Sequence, residues 1–387
     1  MVHIKTLRRA EMAKKKLGLY IHIPFCRRKC LYCDFCSFTD KSREYVTRYA
    51  ERLCKEIDAW GRECGGYTVD TVYFGGGTPT LLSLKDFERV MSTVFTSFSV
   101  DPECEISSEC NPATADLEYL KGLRALGVNR LSIGLQSTHD NELRALGRIH
   151  SYSDFIEIYK NARRAGFENL SADLMYGIPE QTLRSFEGSL REMISLSPEH
   201  ISAYGLKIEE GTPFGKRANT LVLPDEDAEL DMYMMCGDIL SENGYNKYEI
   251  SNFAHKGYES KHNMKYWRCE EYIGVGVSAH SYFRDERFAN SRDMESYMQG
   301  KDITCGRVSI GAQEKQTEYV MLRMRLCDGV NKKEFRELFG VDFDGVYGKK
   351  LAKYILQGYL RDAKEAIAFT DKGFFVSNFI LSDILEF

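Results

Sequence analysis

The alternation of short β-prone runs with helical patterns over the first two-thirds of the chain constrains the fold more than any other feature. A β-prone run at residues 17–23 ends at Pro24, and apolar residues then recur at helical spacing from Tyr45 to Trp60. About six such units imply parallel strands with helical crossovers, too few for a closed barrel of eight units. We therefore predict an α/β fold built on a partial (β/α)6 TIM-like barrel, with functional loops at the carboxyl ends of the strands. The other strands are predicted near residues 69–74, 104–109, 129–135, 168–174 and 199–206, with helices between them, as near 83–97 and 115–126.

The alternation breaks down near residue 225, and this change sets the predicted domain boundaries. We expect the last domain to be a smaller α+β unit with a winged-helix-like fold, because helical patterns there precede a β-prone stretch from Ala366 to Val376. The predicted parts are a basic N-terminal tail at 1–16, the barrel at 17–225, a connecting region at 226–307 and the C-terminal domain at 308–387.

Composition excludes several classes of protein. The formal net charge of −5 gives no general electrostatic reason to bind nucleic acid or an anionic membrane, and the basic tail reads as a solvated segment. No apolar run approaches the roughly 20 residues that span a bilayer. The tail also lacks the apolar core of a secretory signal. We therefore expect a cytoplasmic protein without an integral membrane segment and without a nucleic-acid partner.

Three of the twelve cysteines lie within eight residues, in the loop after the first predicted strand. Cys26, Cys30 and Cys33 are close enough in sequence to wrap one metal centre, and thiolates suit iron–sulfur clusters or zinc. Three ligands would leave one iron of a cluster open to a small molecule. A zinc site or unligated thiols are the alternatives that spacing alone leaves open. Cys36 lies outside the compact spacing, and we do not assign it as a ligand of this metal centre.

The residues around these cysteines carry a resemblance to a known family. The segment from Tyr20 to Phe35, Tyr-Ile-His-Ile-Pro-Phe-Cys-x3-Cys-x-Tyr-Cys-x-Phe, is similar to the signature of radical-SAM proteins of the oxygen-independent coproporphyrinogen oxidase superfamily. Within it the chain resembles the HemW-type heme chaperones along nearly its whole length. The resemblance implies a radical-SAM barrel, a HemN-type C-terminal domain, a 4Fe–4S cluster on Cys26, Cys30 and Cys33, and S-adenosylmethionine (SAM) beside the cluster.

Glycines and polar residues follow the later predicted strands, and the resemblance gives them one role. The glycine run at 75–77 lets a ligand approach the backbone closely, although alone it could be only a turn. SAM is a zwitterion that carries a ribose, so it needs a carboxylate for its ammonium, a cation for its carboxylate and acceptors for its hydroxyls. The resemblance implies SAM contacts from Tyr20, Gly76, Gly77, Thr78, Glu109, Gln136, Arg148 and Asp173.

Further features distinguish the chaperone type from the oxidases. Phe35 stands where the oxidases carry another cysteine, and only about sixteen residues precede the first predicted strand, whereas the oxidases have a longer N-terminal extension. The motif His-Asn-Met-Lys-Tyr-Trp resembles the heme-binding signature of the chaperones; without the resemblance, a histidine beside aromatic residues reads as ordinary packing. The implied heme-binding residues are His262, Asn263, Tyr266 and Trp267.

Two functions follow from the sequence. One is a heme chaperone that binds heme and transfers it to an unidentified acceptor protein, with the cluster, SAM and an electron donor controlling transfer. The other is an oxygen-independent coproporphyrinogen III oxidase that converts propionates to vinyl groups, which Phe35 and the short N-terminus argue against. The sequence leaves open whether heme is attached covalently and whether SAM is consumed. Cys36, Cys269 and His280 stay open as further heme ligands.

Overall fold

A computed structural model describes residues 14–386, and within them six parallel strands lie side by side in chain order. Helices connect them, so the predicted alternation and the partial barrel are confirmed. The strands are β1 (Lys15–Ile23), β2 (Tyr67–Gly76), β3 (Val100–Cys110), β4 (Arg130–Gln136), β5 (Leu170–Tyr176) and β6 (His200–Gly205). The helices are α1 (Arg43–Glu63), α2 (Leu84–Ser97), α3 (Leu117–Ala125), α4 (Asp140–Ala145), α5 (Tyr152–Arg164) and α6 (Leu183–Ser195).

Capping and residue alternation explain these elements locally. Ser42, Ser83 and Asp116 cap α1, α2 and α3, because each side chain accepts a hydrogen bond from a backbone N–H in the first turn. Successive side chains of a strand point to opposite faces. Along β4, Leu131, Ile133 and Leu135 pack in the apolar core, whereas Arg130, Ser132, Gly134 and Gln136 face the barrel interior.

The region predicted as a connector extends the barrel sheet at both edges. β9 pairs in parallel with β1, and β10 to β12 continue beyond it antiparallel, while β8 and β7 extend the sheet past β6. Sequence reasoning missed these strands because two to six residues carry too few alternations to give a periodic signal. The elements are α7 (Glu226–Glu242), β7 (Asn246–Lys247), β8 (Asn252–Ala254), α8 (Lys261–Trp267), β9 (Tyr272–Val275), β10 (His280–Phe283), β11 (Glu286–Asn290), α9 (Met294–Met298) and β12 (Thr304–Ser309).

Helix α8 is held against the inner face of β2 and β3. The carboxylate of Glu105 accepts hydrogen bonds from the backbone N–H groups of Lys261 (3.0 Å) and His262 (3.2 Å) at the first turn of α8. A carboxylate there also interacts favourably with the helix dipole. Lys265 pairs with Asp70 at 2.7 Å near the other end of the helix. These contacts fix the His-Asn-Met-Lys-Tyr-Trp motif inside the barrel.

The C-terminal domain combines helices with a three-stranded antiparallel sheet, in keeping with the predicted winged-helix-like α+β unit. The β-prone stretch predicted from Ala366 to Val376 is wrong in its second half. There the Thr370 side chain accepts a hydrogen bond from the N–H of Gly373 and caps a short helix. The elements are α10 (Ala312–Arg323), β13 (Val330–Asn331), α11 (Lys332–Phe339), α12 (Phe343–Leu356), β14 (Leu360–Ala363), β15 (Ala366–Phe369), α13 (Asp371–Phe375) and α14 (Ser377–Leu385).

Two of the predicted domain boundaries, at the start of the barrel and at the start of the C-terminal domain, differ slightly from the bounds of the strands in the structure. β1 begins at Lys15, so the last two residues of the predicted tail are part of the strand, while the tail up to residue 13 lies outside the described residues. β12 crosses the predicted boundary at 308 and belongs to the barrel sheet. Across residues 14–386, none of the helices combines the length and apolar character that a bilayer span requires.

Candidate functional site

A cavity of about 620 Å³ lies at the carboxyl ends of the parallel strands and continues into the barrel. It brings together the three cysteines of the loop after β1 and seven of the eight residues predicted to contact SAM. Its volume is in the range of small-molecule sites. The predicted residues that line it are Cys26, Cys30, Cys33, Gly76, Gly77, Thr78, Glu109, Gln136, Arg148 and Asp173, together with Asn263 of the heme motif.

Hydrogen bonds from flanking residues hold the cysteine loop in place. Phe38 N–H donates to the carbonyl of Pro24 at 2.7 Å, and a ring nitrogen of His22 lies 3.0 Å from the carbonyl oxygen of Cys36. Burial raises the pKa of the Cys26 thiol, and it raises the pKa of Cys33 to about 11. Metal binding by these groups must therefore release protons.

The donor set fits a cluster with one open iron. Arg148 Nη1 lies 3.5 Å from the sulfur of Cys30, and Thr78 Oγ1 lies 3.8 Å from that of Cys26, so each of these sulfurs has a hydrogen-bond donor beside it. Across residues 14–386, no three His, Cys, Asp or Glu side chains converge closely enough to hold a metal ion, so the three thiols agree with a cluster in number and chemistry rather than in arrangement. Three thiols along one cavity wall match the ligands of a 4Fe–4S cluster that leaves its fourth iron for a small molecule.

Two carboxylates in the cavity have no cationic partner within ion-pair distance among the described residues. Glu109 accepts hydrogen bonds from the Tyr73 hydroxyl and the Gly76 N–H, both at 3.1 Å. Burial, followed by repulsion from Asp173, raises the pKa of Glu109 to about 7, and burial also raises the pKa of Asp173. A cationic ligand would favour the ionised form of both groups. The ammonium and sulfonium of SAM are such cations, so this pair fits the cofactor.

Arg148 and Gln136 supply a cation and a neutral amide, which complement the carboxylate and the hydroxyls of SAM. The Nη2 of Arg148 donates to the carbonyl of Gly134 at 2.7 Å, and its Nε is buried without a partner in the described part of the chain. The guanidinium lines the cavity, so its positive charge can attract a ligand carboxylate. Gln136 adopts a φ of +80°, a region that non-glycine residues rarely occupy, and accepts a hydrogen bond from the Tyr204 hydroxyl at 2.8 Å. This held conformation presents the side chain of Gln136 to the cavity.

Glycine is required where β2 approaches β1. Gly76 has a φ of +111°, and a Cβ there would lie 2.4 Å from the imidazole ring of His22. A Cβ on Gly77 would lie 2.6 Å from the carbonyl oxygen of Phe25. Any side chain would therefore displace the base of the cysteine loop. Tyr20 does not line the cavity, because its hydroxyl lies 2.9 Å from His22 Nδ1 and its ring stacks on Tyr73 behind it.

The structure separates the four residues predicted to bind heme. Asn263 lines the cavity, whereas His262 is fully buried, with Nδ1 2.8 Å from the Thr71 hydroxyl and Nε2 2.8 Å from the Tyr266 hydroxyl. Burial, followed by the charge of Lys265, lowers the pKa of His262 to about 3. Trp267 has a buried Nε1 without a partner among residues 14–386. His262 is thus a neutral imidazole with both nitrogens engaged.

The positions of three further residues bear on ligand binding. Phe35, predicted as the chaperone-type residue, lines the cavity and is 68% exposed, so a large apolar ring is presented to anything that enters. His280 is exposed on β10, and Cys36 is buried in the apolar core.

Sequence reasoning missed Arg130, Tyr32 and Tyr204, which also line the cavity. A signal for Arg130 was present, because it lies at an even spacing from Gln136 and therefore on the same inward face of β4. Polar residues at alternate positions of a barrel strand predict an interior that binds something polar.

Removal of the charge at position 109 should stabilise the cofactor-free protein. The folded-state pKa of about 7 lies above the ordinary 4.5, so the folded state binds this proton more tightly than the unfolded chain does. The protonated Glu109 therefore contributes its whole stabilisation of the folded state below about pH 4.5, and this contribution is lost as the pH rises through 7. We expect the free energy of unfolding of Glu109→Gln to exceed that of the wild type by about 2 kcal/mol at pH 8 and to equal it near pH 4. The difference at pH 8 is smaller than the full pKa difference implies, because cavity water solvates the carboxylate.

Urea unfolding at both pH values measures this difference. Glu103→Gln, at an exposed position of the same strand, is the matched control and should follow the wild type at each pH. Identical stability of Glu109→Gln and the wild type at pH 8 would contradict the prediction.

Comparison with known proteins assigns the parts of the chain to families. A model described as the radical SAM superfamily matches residues 20–193, and one described as the HemN C-terminal domain matches residues 311–376. The Escherichia coli coproporphyrinogen III oxidase HemN, a radical SAM enzyme by its description, has a structure that covers 97% of this chain and 91% of its own, with a TM-score of 0.85 and 24% identity. The two chains therefore share a fold.

Curated relatives cover nearly the whole chain. The heme chaperone HemW of Lactococcus lactis is 34% identical over 96% of this chain and 100% of its own length. The heme chaperone HemW of Escherichia coli is 36% identical over 94% and 97%, respectively. The mitochondrial radical S-adenosyl methionine domain-containing protein 1 of Danio rerio is 31% identical over 92% and 84%. The likeness therefore includes the cysteine loop, α8 and the C-terminal domain.

Proposed function

The chain belongs to the HemW family of radical-SAM proteins, and from this membership we propose that it binds heme and transfers it to an acceptor protein. Radical-SAM proteins use a 4Fe–4S cluster and SAM, and the donors in the cavity fit both. The observation that carries the proposal is similarity over 96% of the chain to a relative named as a heme chaperone. The exposed ring of Phe35 supports it, because porphyrin faces pack on aromatic side chains.

The cofactor residues have separate tasks in this proposal. Cys26, Cys30 and Cys33 would hold the cluster, and SAM would bind beside it in the cavity. Glu109, Asp173, Gln136 and Arg148, with Gly76, Gly77 and Thr78, orient SAM in the cavity, and Tyr20 supports them from behind. The cluster is the source of reductive chemistry when it is bound.

We further propose that His262, Asn263, Tyr266 and Trp267 form the heme-binding set. Asn263 already reaches the cavity, and His262 is in the neutral form that binds iron. Because Nε2 of His262 lies 2.8 Å from the Tyr266 hydroxyl, ligation requires that this hydrogen bond break. The heme acceptor and the donor of electrons to the cluster would be other proteins, and we place these events in the cytoplasm.

Heme titration of the anaerobically reconstituted protein tests the proposal. We expect about one heme per chain for the wild type, and binding at least about tenfold weaker for His262→Ala, because an iron ligand is lost. Tyr266→Phe should bind heme more tightly than the wild type, since removal of the hydroxyl frees Nε2 of His262. Soret absorbance follows each titration.

His255→Ala is the matched control, because this histidine lies at the edge of the barrel sheet with Nδ1 3.0 Å from a backbone carbonyl oxygen. If Tyr266→Phe leaves heme affinity unchanged and His262→Ala binds normally, the motif has a packing role alone. The same samples are assayed with coproporphyrinogen III. Formation of protoporphyrinogen without stoichiometric heme binding would establish the oxidase instead.

A further inference from the structure

Arg130 is a buried cation without an ion-pair partner in the described part of the chain. It is the first residue of β4, its side chain is 2% exposed, and its Nε is buried without a hydrogen-bond partner. Among the described residues, no carboxylate lies within ion-pair distance of its guanidinium. Buried charges in proteins are normally paired, because loss of hydration otherwise opposes folding. An unpaired arginine in the interior therefore calls for a partner from outside the chain.

The guanidinium lines the inner end of the same cavity, below the residues proposed to hold SAM. Ser202, Asn252 and Asn263 line this end beside it and are uncharged hydrogen-bonding groups. His200 is also there, with its ring nitrogens 2.7 Å from the Ser171 hydroxyl and 2.8 Å from the Tyr248 hydroxyl. Burial, followed by the charge of Arg130, lowers the pKa of His200 well below its usual value. The guanidinium of Arg130 is thus surrounded mainly by neutral groups, and the nearest acidic group is Asp173, which hydrogen-bonds to Ser202 and whose pKa the charge of Arg130 lowers against the effect of burial.

We propose that the inner end of the cavity is a carboxylate-binding subsite centred on Arg130. A planar guanidinium matches a carboxylate through two parallel hydrogen bonds, and a single cation balances a single carboxylate charge. Asp173, the nearest acidic group, is engaged by the hydroxyls of Ser132 and Ser202 and lies beyond ion-pair distance of Arg130, so it leaves the guanidinium free for a ligand carboxylate.

The carboxylate in question is a propionate of the porphyrin, an assignment that rests on the proposed heme function. Heme carries two propionates on flexible arms around an apolar ring. The cavity offers Tyr73, Tyr204 and Met175 as apolar wall between its mouth and Arg130. A porphyrin that enters edge-on would place one propionate at Arg130 and its ring along these side chains.

A structural role for Arg130 and a role in ligand binding predict opposite effects of its replacement on the stability of the protein. If Arg130 held the barrel together, its replacement would destabilise the protein. Because it has no ion-pair partner to lose among the described residues, Arg130→Met should unfold at a urea concentration equal to or above that of the wild type. Arg124→Met, on the exposed face of α3, is the control for loss of an arginine charge.

The decisive experiment compares heme with heme dimethyl ester, whose propionates carry no charge, as ligands of the full chain. We expect the wild type and Arg124→Met to prefer heme by about tenfold or more, and Arg130→Met to bind both ligands with the wild-type affinity for the ester. The subsite is overturned if Arg130→Met keeps the preference for heme, or if the wild type shows none.

A second probe separates this subsite from the heme function. Sodium propionate is examined by saturation-transfer NMR with the wild type and Arg130→Met. Should the wild type bind no heme, the chaperone proposal fails, and a propionate signal lost in Arg130→Met would still uphold the subsite. An equal propionate signal in both proteins would overturn it. If the wild type binds heme and heme dimethyl ester equally well, the chaperone proposal stands and the proposal of a carboxylate subsite fails.

Discussion

Replacement of Cys30 by alanine should reduce the iron content of the anaerobically reconstituted protein from about four irons per chain to below about one. Cys30 lines the cavity, and its sulfur lies 3.5 Å from Nη1 of Arg148. With two protein thiolates left, a cluster with an open iron has too few ligands to persist. Iron and sulfide analysis, with the broad visible absorbance of the cluster, measures the loss.

Cys36→Ala is the matched control, because this cysteine lies in the same loop but is buried in the apolar core. Only its backbone carbonyl contacts His22, and that contact survives the substitution. We expect a normal iron content for this variant. A normal cluster in Cys30→Ala, or its loss in Cys36→Ala, would mean that the ligands are misassigned.

Replacement of Arg148 by methionine should weaken SAM binding by roughly 100-fold and leave the cluster in place. The guanidinium is anchored to the Gly134 carbonyl at 2.7 Å, and its buried Nε has no partner among the described residues. A carboxylate ligand in the cavity would be attracted by the positive charge of the guanidinium, and methionine does not supply one.

Equilibrium dialysis with labelled SAM measures the affinity, and iron analysis on the same sample shows whether the cluster is intact. Arg144→Met removes an exposed arginine of the neighbouring helix α4 and should bind SAM as the wild type does. Wild-type affinity in Arg148→Met would exclude this residue from SAM binding. A loss of iron would instead indicate that Arg148 acts through Cys30.

The cysteine loop and the barrel could be predicted because their signals are local. The three cysteines share one loop, and each parallel strand has enough residues for its alternation to be read. Since the carboxyl ends of parallel strands meet at one edge of a sheet, Glu109, Gln136 and Asp173 could be expected to converge from their positions in the sequence. The cavity brings all three together with the cysteines.

The heme motif was predicted from the family resemblance, but the residues that surround it in the fold could not be predicted from the sequence. His262 lies against Thr71, and its backbone N–H donates to Glu105, residues that are 191 and 157 positions away along the chain. The motif itself contains no sign that its histidine is closed off from the cavity while the adjacent Asn263 opens into it.

By itself the sequence determined the six βα units, the three-thiol loop and the polar ends of the strands, because short-range periodicity and spacing encode them. Three features became visible in the folded chain alone: β9 joins the barrel beside β1, His262 is enclosed, and Arg130 has no ion-pair partner among the described residues around the cavity. The reason is physical: burial and the pairing of charges depend on neighbours brought together from distant parts of the chain, which no local pattern specifies.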